Sequence, residues 1–161
     1  RPTYIPATQF YLLGSSGNSV ALQQVSNFGF FGAKFESLAD VAHILFRVPS
    51  DFNIDTNLKI EVEWSTDNPD TAASATWRVR HRAVAAGEAF AVAASDLDTL
   101  IAADTSLGAW VRATTPYGLV NAGRFEHGDI VNFRISLNAV SGLNLAVDSV
   151  FFLGISLNDE S

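Results

Sequence analysis

Leu58–Trp64, LKIEVEW, is the stretch whose reading decides the fold. Leu58, Ile60, Val62 and Trp64 take one side, and Lys59, Glu61 and Glu63 take the other. Period-two alternation is the mark of a strand with one face in a core and one in water. Trp77–Val84, WRVRHRAV, alternates in the same way. Trp77, Val79, His81 and Ala83 point inward, and Arg78, Arg80 and Arg82 point outward. Acids on one strand and arginines on the next suit antiparallel neighbours that share a face. The pair therefore reads as a cross-strand charge ladder of Glu61, Glu63, Arg78, Arg80 and Arg82. The two tryptophans are expected to close the same end of the core.

Working outward, the same alternation recurs in Val41–Val48, ended by Pro49, in Ile130–Leu137 and in Ser149–Leu157, where Phe151, Leu153, Ile155 and Leu157 take one face. Shorter strands are expected at Val20–Val25, Phe28–Phe35, Leu107–Ala113 and Leu119–Phe125, with a weaker candidate at Glu88–Ala94. Gly29 and Gly32 in FGFFGAKF suggest a bulge or a close backbone approach, and Gly154 in the last strand relieves crowding on its outer face. Turn residues separate the runs: GSSGNS at Gly14–Ser19, Pro116–Gly118, His127–Gly128–Asp129 and Ser141–Gly142. A polar loop of about a dozen residues, Ser65–Thr76, is long for a hairpin connection. Ser95–Ala103 opens with a capping serine and early acids, then places Leu97, Leu100 and Ile101 at helical spacing, so one short helix or helical turn is expected there. Roughly eight or nine short strands with such turns indicate an all-β chain, a two-sheet antiparallel β-sandwich of jelly-roll type.

The first residues, Arg1–Leu13, carry Pro2, Pro6, Tyr4 and Tyr11 and little charge. So apolar a leader is expected to lie on protein. It is either an edge strand on its own sandwich or an arm that docks on a partner subunit. The division read from this is a leader or arm with the first strand over residues 1–27 and a jelly-roll domain over 28–161.

The chain has 161 residues and a formal net charge of −7, which disfavours nucleic acid as the main partner. Its apolar runs are too short to span a membrane as a helix, and Arg1 opens no signal-peptide pattern. Cysteine is absent, so disulfides and thiolate metal sites are excluded. Methionine is absent too, and Arg1 is expected to be a processed or trimmed start.

No residue pattern carries a catalytic signature. Glu61 and Glu63 are spaced for paired carboxylate chemistry, which needs about 5–10 Å. An arginine row opposite would keep both ionised, and a general acid needs the reverse. Asp51, Asn53, Asp55 and Asn57 match the opening of a calcium loop. Thr56 then stands where that loop needs glycine and Val62 where it needs its bidentate acid, so a polar turn is the better reading. Asp67–Asn68–Pro69–Asp70 also reads as a turn. His43, His81 and His127 are scattered, and His81 falls inward as a core histidine. There is no phosphate loop, dinucleotide fingerprint, nucleophile elbow or zincin motif. Catalytic residues, metal ligands and cofactors are accordingly expected to be none, and the chain is read as a non-enzyme.

HILFRVPSDFNIDTNLKIEVEW, then WRVRHRAV, EHGDIVNFRISL and DSVFFLGISL, together resemble the small jelly-roll virion proteins of tailed bacteriophages, including capsid cement or decoration proteins. The resemblance runs from Ala42 to Leu157 and is carried by Val48–Pro49, Trp64, Gly128–Asp129 and Phe151–Ile155. It implies a structural virion role, with cement, baseplate, tail and fibre all open. The expectation is a cement protein on the capsid exterior, a homotrimer bridging subunits of the major capsid protein, and the charge and apolar runs add no nucleic acid and no membrane as partners. Contacts are then expected from Tyr4, Ile5, Phe10 and Tyr11 of the leader, from the loop Thr66–Thr76, and from Tyr117 in Thr115–Leu119. The alternative is a receptor- or carbohydrate-binding sandwich of a phage tail or fibre, with Trp110 and Tyr117 as candidate sugar platforms. Trp110 lies in an apolar run, which assigns it to the core.

Overall fold

A computed structural model describes residues 3–13, 22–25, 30–89 and 97–159. In chain order the strands are β1 Thr3–Pro6, β2 Tyr11–Leu13, β3 Leu22–Val25, β4 Phe30–Phe35, β5 Val41–Arg47, β6 Leu58–Thr66 and β7 Ser74–Val84. They continue with β8 Leu97–Leu100, β9 Asp104–Thr105, β10 Ala113–Thr114, β11 Gly118–Val120, β12 Ile130–Ser141 and β13 Val150–Asp159. All pairings are antiparallel. The first sheet runs β10-β6-β13-β4-β3, with β11 also on β6 and β1 also on β13. The second runs β2-β5-β12-β7-β8, with β9 also on β7.

The long strands β4, β5, β6 and β7 fall in alternate sheets, as do β12 and β13. Successive crossings of this kind wind a jelly roll. They also overturn the charge ladder. Glu61 and Glu63 stand on β6 in the first sheet, and Arg78, Arg80 and Arg82 stand on β7 in the second. The connection Asp67–Ala73 carries the chain from one sheet to the other instead of folding β7 back on β6. Polar side chains build it locally: Asn68 Oδ1 accepts the Asp70 N–H at 2.8 Å, and Asp70 Oδ1 accepts the Ala72 N–H at 2.9 Å.

The core between the sheets is the one that alternation sets out. Ile60, Val62 and Trp64 of β6, with Phe152 and Ile155 of the neighbouring β13, face Trp77 and Val79 of β7 and Phe133 and Ile135 of β12, all fully buried. Both tryptophans border Phe152. Trp64 is its cross-strand partner, and the Trp77 ring is 6.0 Å away. Burial of such rings is the main stabilising term in a chain without disulfides. The Trp64 indole N–H donates to Asp104 Oδ2 at 2.7 Å. The Trp77 N–H has no hydrogen-bond partner among the described residues.

Four local expectations fail. The helix expected over Ser95–Ala103 is not formed by the described part of that segment: Leu97–Leu100 is a strand on β7, and Ser95 and Asp96 lie outside the described residues. A free sheet edge with hydrogen bonds to offer outweighs the weak helical spacing of three apolar residues. The one helical element among the described residues is a 3₁₀ turn at Ala7–Gln9. Second, Leu107–Ala113 is not a strand before Ala113. Third, the strand expected over Leu119–Phe125 ends at Val120. Fourth, the register shift between Phe152 and Gly154 turns Phe152 into the core with Ile155 and Leu157, and leaves Phe151 and Leu153 out of it.

Gly32 and Gly154 mark real close approaches. A Cβ on Gly32 would lie 2.9 Å from Leu153 Cδ2 and 3.2 Å from Phe151 Cβ. At Gly154, φ is +152° and a Cβ would meet the Ile5 carbonyl at 2.5 Å. The chain shifts register between Phe152 and Gly154, and β1 lies across this glycine.

Candidate functional site

The outer face of the first sheet gathers exposed aromatic rings around a buried acid. Gly108, at φ +114°, turns the chain before it reaches the sheet, and Trp110 follows at φ +62°. Bulky residues adopt this left-handed backbone only at a cost. Three attachments hold the turn. The Trp110 N–H donates to the Thr66 carbonyl at 2.8 Å, Ser65 Oγ donates to the Val111 carbonyl at 3.0 Å, and Arg112 grips Glu63. The Trp110 ring lies over Phe151, with centroids 5.6 Å apart and planes inclined by 33°. Phe151 pairs with Ser65, which puts it on the outer face, and it is buried there outside the inter-sheet core. The Trp110 indole itself stays 47% exposed. Its expected place in the core is thus corrected: the apolar run on which that reading rested is a turn at Gly108 and not a strand.

Glu63 is buried, at 3% exposure, although alternation aims it outward. The covering loop explains this. Arg112 donates through Nε to Oε2 at 2.6 Å and through Nη2 to Oε1 at 3.0 Å, and Thr114 Oγ1 donates to Oε2 at 2.9 Å. The hydrogen bonds to Glu63, then its charge, raise the proton affinity of the Arg112 guanidinium further. Beside Glu63 stands Gly154, its cross-strand partner. Tyr4 lies over that glycine and donates from its hydroxyl to the Leu153 carbonyl at 3.0 Å. Burial raises the Tyr4 phenol pKa, the Glu63 charge adds to the rise, and Arg112 opposes it. Farther along β6, Lys59 Nζ sits 4.8 Å from the centroid of the Tyr117 ring.

Three half-exposed aromatic rings, Trp110, Tyr4 and Tyr117, therefore share a shallow face with a carboxylate, a guanidinium and a hydroxyl. Such a face can stack against flat apolar surfaces and exchange hydrogen bonds with a hydroxylated ligand. Both Glu63 oxygens already accept strong donors, so the residue is fixed as a structural anion.

The remaining expected site residues scatter. Ile5 is half-buried against the core, and Phe10 is buried edge-on against Phe152, with centroids 5.0 Å apart. Phe10 is therefore corrected from a contact residue to a core residue. Tyr11 is exposed, but on the outer face of the second sheet beside His43. Tyr4, Tyr11 and Tyr117 thus do not make one surface. In Asp51–Asn57, Asn53 Oδ1 accepts the Asp55 N–H within the turn and Asn57 Oδ1 accepts the N–H of the distant Ala122, so two of the four alternating side chains are engaged by backbone. Among the described residues no three His, Cys, Asp or Glu gather as a metal group. His81 is buried edge-on against Phe125 and Phe133, and His127 Nε2 lies 2.7 Å from the Phe52 carbonyl. A cleft of about 600 Å³ opens at one end of the sandwich between Ile5, Phe46, Phe52 and Leu157, rimmed by Asp51 and Asp159. Phe46 and Phe52 pack against the core and offer no free platform there.

The arginines expected in the ladder take a different setting. One row across the second sheet runs Asp98, Arg80, Arg134, His43 and Tyr11, and the adjacent row places Arg78 opposite Ser136.

No protein family and no curated protein matches the chain. Solved structures share its fold. A carbohydrate-binding module CBM36 in complex with calcium and xylotriose matches at TM-score 0.54 and 11% identity, covering 97% of this chain and 99% of that one. The CBM36-1 domain of a multidomain xylanase from the hindgut metagenome of Trinervitermes trinervoides matches at TM-score 0.55 and 10% identity, covering 100% and 99%. The structure of infectious bursal disease virus, Gx strain, gives a TM-score of 0.35 at 14% identity, covering 98% of this chain and 30% of that one. That score is too low to indicate a common fold.

Proposed function

We propose that the chain is a non-catalytic binding module that takes a neutral saccharide on the outer face of the first sheet. The observation that carries this reading is Trp110. A tryptophan is held at φ +62°, backed by Phe151, with its free ring face turned to solvent. Backbone strain of this kind persists where surrounding structure enforces it, and it clusters at ligand-contact sites. Here the enforcement is visible in the bonds to Thr66, Ser65 and Glu63. Tyr4 and Tyr117 extend the platform. Arg112 supplies its remaining N–H donors beside it, and the Thr114 hydroxyl, whose proton goes to Glu63, supplies an acceptor. The fold-level likeness to carbohydrate-binding modules supports the class of ligand and not the particular sugar.

Xylotriose, cellotriose and mannotriose are the first ligands to titrate, by calorimetry and by tryptophan fluorescence. Binding that weakens at least about tenfold in Trp110→Ala supports the reading, since an anchoring aromatic is worth roughly 1–2 kcal/mol or more. Binding unaffected by that change places the ligand elsewhere. No binding across a broad neutral glycan panel ends the proposal.

A second reading keeps the virion role, a capsid cement or decoration protein assembled as a homotrimer on the major capsid protein. Phe30 and Phe31 favour it. Both are exposed on β4, next to the edge strand β3, where Leu22 is exposed as well. An apolar sheet edge of this sort is suited to burial against another subunit. Sedimentation equilibrium tests it: a trimer that Phe30→Ser dissociates supports it, and a stable monomer that does not co-sediment with capsids removes it.

A further inference from the structure

The outer face of the second sheet holds a distinct feature. Arg47 on β5, Arg78, Arg80 and Arg82 on β7, and Arg134 on β12 all point to it by strand alternation. These are half of the ten lysines and arginines in a chain of net charge −7. Arg80 and Arg134 are directly opposite one another, and His43 follows on the far side of Arg134. Like charges in that position oppose strand pairing. The sequence suggested that Glu61 and Glu63 would neutralise the arginines, but those acids are in the other sheet, and the acid set opposite this row is Asp98 of β8, the cross-strand partner of Arg80.

Beside this row lies a groove of about 320 Å³, lined by Arg78, Arg80, Arg134, Ser136, Asn138 and Leu38 among others. Its volume is that of a small ligand site. The wall is the turn Glu36–Asp40, and it is built firmly. Asp40 Oδ2 accepts the Glu36 N–H at 2.7 Å and the Ser37 N–H at 3.0 Å, and Ser37 Oγ accepts the Ala39 N–H at 3.1 Å. The lining combines guanidinium groups with an uncharged hydroxyl and amide.

We propose that this groove is an anion-recognising subsite for an acidic saccharide, in which Arg78, Arg80 and Arg134 engage a carboxylate or sulfate and Ser136 and Asn138 engage ring hydroxyls. A guanidinium carries five donors, so one with a protein partner still has N–H groups for a ligand, and its planar fork fits oxyanions bidentately. An acidic sugar is favoured over nucleic acid for two reasons. The groove holds about one sugar unit rather than an extended stripe, and the molecule as a whole repels a long polyanion. His43 reports the local field: burial first, and the Arg134 charge second, push its pKa down. The subsite stands on the sheet opposite Trp110 and does not rest on the neutral-sugar reading.

The test titrates trigalacturonate, its methyl ester, a sulfated disaccharide and an octathymidylate into the intact chain at low and moderate salt. The expected result is binding of the carboxylated or the sulfated sugar that weakens with salt, with the methyl ester at least about tenfold weaker. Arg80→Gln and Arg134→Gln should each lose about tenfold or more. Ala39→Glu leaves the arginines in place and sets a competing carboxylate on the exposed wall, so it should also abolish binding. That variant decides the matter if the arginine variants unfold. Equal affinity for acid and ester, indifference to Ala39→Glu, or tighter binding of octathymidylate overturns the proposal. Xylotriose titrated into the same variants, read by Trp110 fluorescence, separates the two faces: its failure ends the first reading and leaves this one standing.

Discussion

Arg112 and Glu63 meet end to end in a two-pronged contact, at 2.6 and 3.0 Å, that ties a surface loop to the sheet beneath it. The two partners are unequal. The Glu63 side chain is 3% exposed and the Arg112 side chain 71%. The pair therefore acts less as a surface ion pair than as a lid that makes burial of a carboxylate tolerable.

Removing the arginine should accordingly cost more than a surface pair is worth. Arg112→Ala leaves Glu63 with the Thr114 hydroxyl, and a loss of about 1–3 kcal/mol in urea unfolding is expected. Glu63→Gln, which keeps the shape without the buried charge, should lose less than Arg112→Ala. The reverse order would mean that the pair is solvated and the loop is held by its backbone bonds alone.

Trp110 is the exposed tryptophan, whereas Trp64 and Trp77 are fully buried. Iodide should quench a fluorescence component that vanishes in Trp110→Ala and that persists in both Trp64→Phe and Trp77→Phe. The backbone at φ +62° adds a second expectation. Trp110→Gly should be more stable than Trp110→Ala by about 0.5–1 kcal/mol, because glycine occupies this region without a Cβ penalty. Alanine proving the better replacement would show that the backbone there relaxes once the ring is gone.

The buried tryptophans should respond differently to loss of the indole nitrogen. Trp64→Phe breaks the bond to Asp104, whereas Trp77→Phe removes an N–H without a hydrogen-bond partner among the described residues. Both changes leave a smaller ring. The Trp64 variant should be the less stable of the two by about 1–2 kcal/mol, the worth of a hydrogen bond to a carboxylate. Chemical denaturation of the two variants side by side decides this.

His43 gives the fold a pH dependence of known sign. Burial and Arg134 hold its pKa below the ordinary 6.5, with a hydrogen bond to Asn132 opposing them. Its charged neighbours across the sheet are Arg134 and, on its own strand, Arg47, and Tyr11 lies on the other side. The unfolded chain then binds the proton more readily than the folded one. The contribution to stability is complete above 6.5 and declines as the pH falls through 6.5 and then through the lowered value. In His43→Gln the denaturation midpoint should fall less over that window than in the parent. Parallel curves would remove His43 as the cause.

Much of this molecule was readable from residue order. Alternation in Leu58–Trp64, Trp77–Val84 and Ile130–Leu137 placed the inward side chains correctly, because a strand's facing is a local property of the pleat. In Ser149–Leu157 it held only beyond Gly154, since the register shift there turns Phe152 inward and Phe151 outward. Gly154 was recognisable as a relief of crowding, since a glycine in an apolar strand has few other uses. The partners of the outward residues were not readable. A jelly roll passes consecutive strands between sheets, so the fold that was expected and the ladder between β6 and β7 could not both hold. Glu63 found Arg112 at a separation of 49 residues, and no spacing rule reaches that far.

The sequence by itself determined the class of fold, the core residues of the long alternating strands β6, β7 and β12 and the want of a reactive motif, all of which follow from local periodicity and composition. The tertiary structure alone decided where each charged and aromatic side chain is displayed. It drew Trp110 out of an apolar run onto an open face, set the arginines of β7 beside Arg134, and took Phe10 inside. The physical reason is that burial is selected by pattern along the chain, whereas adjacency on a surface is set by which strands cross to which sheet.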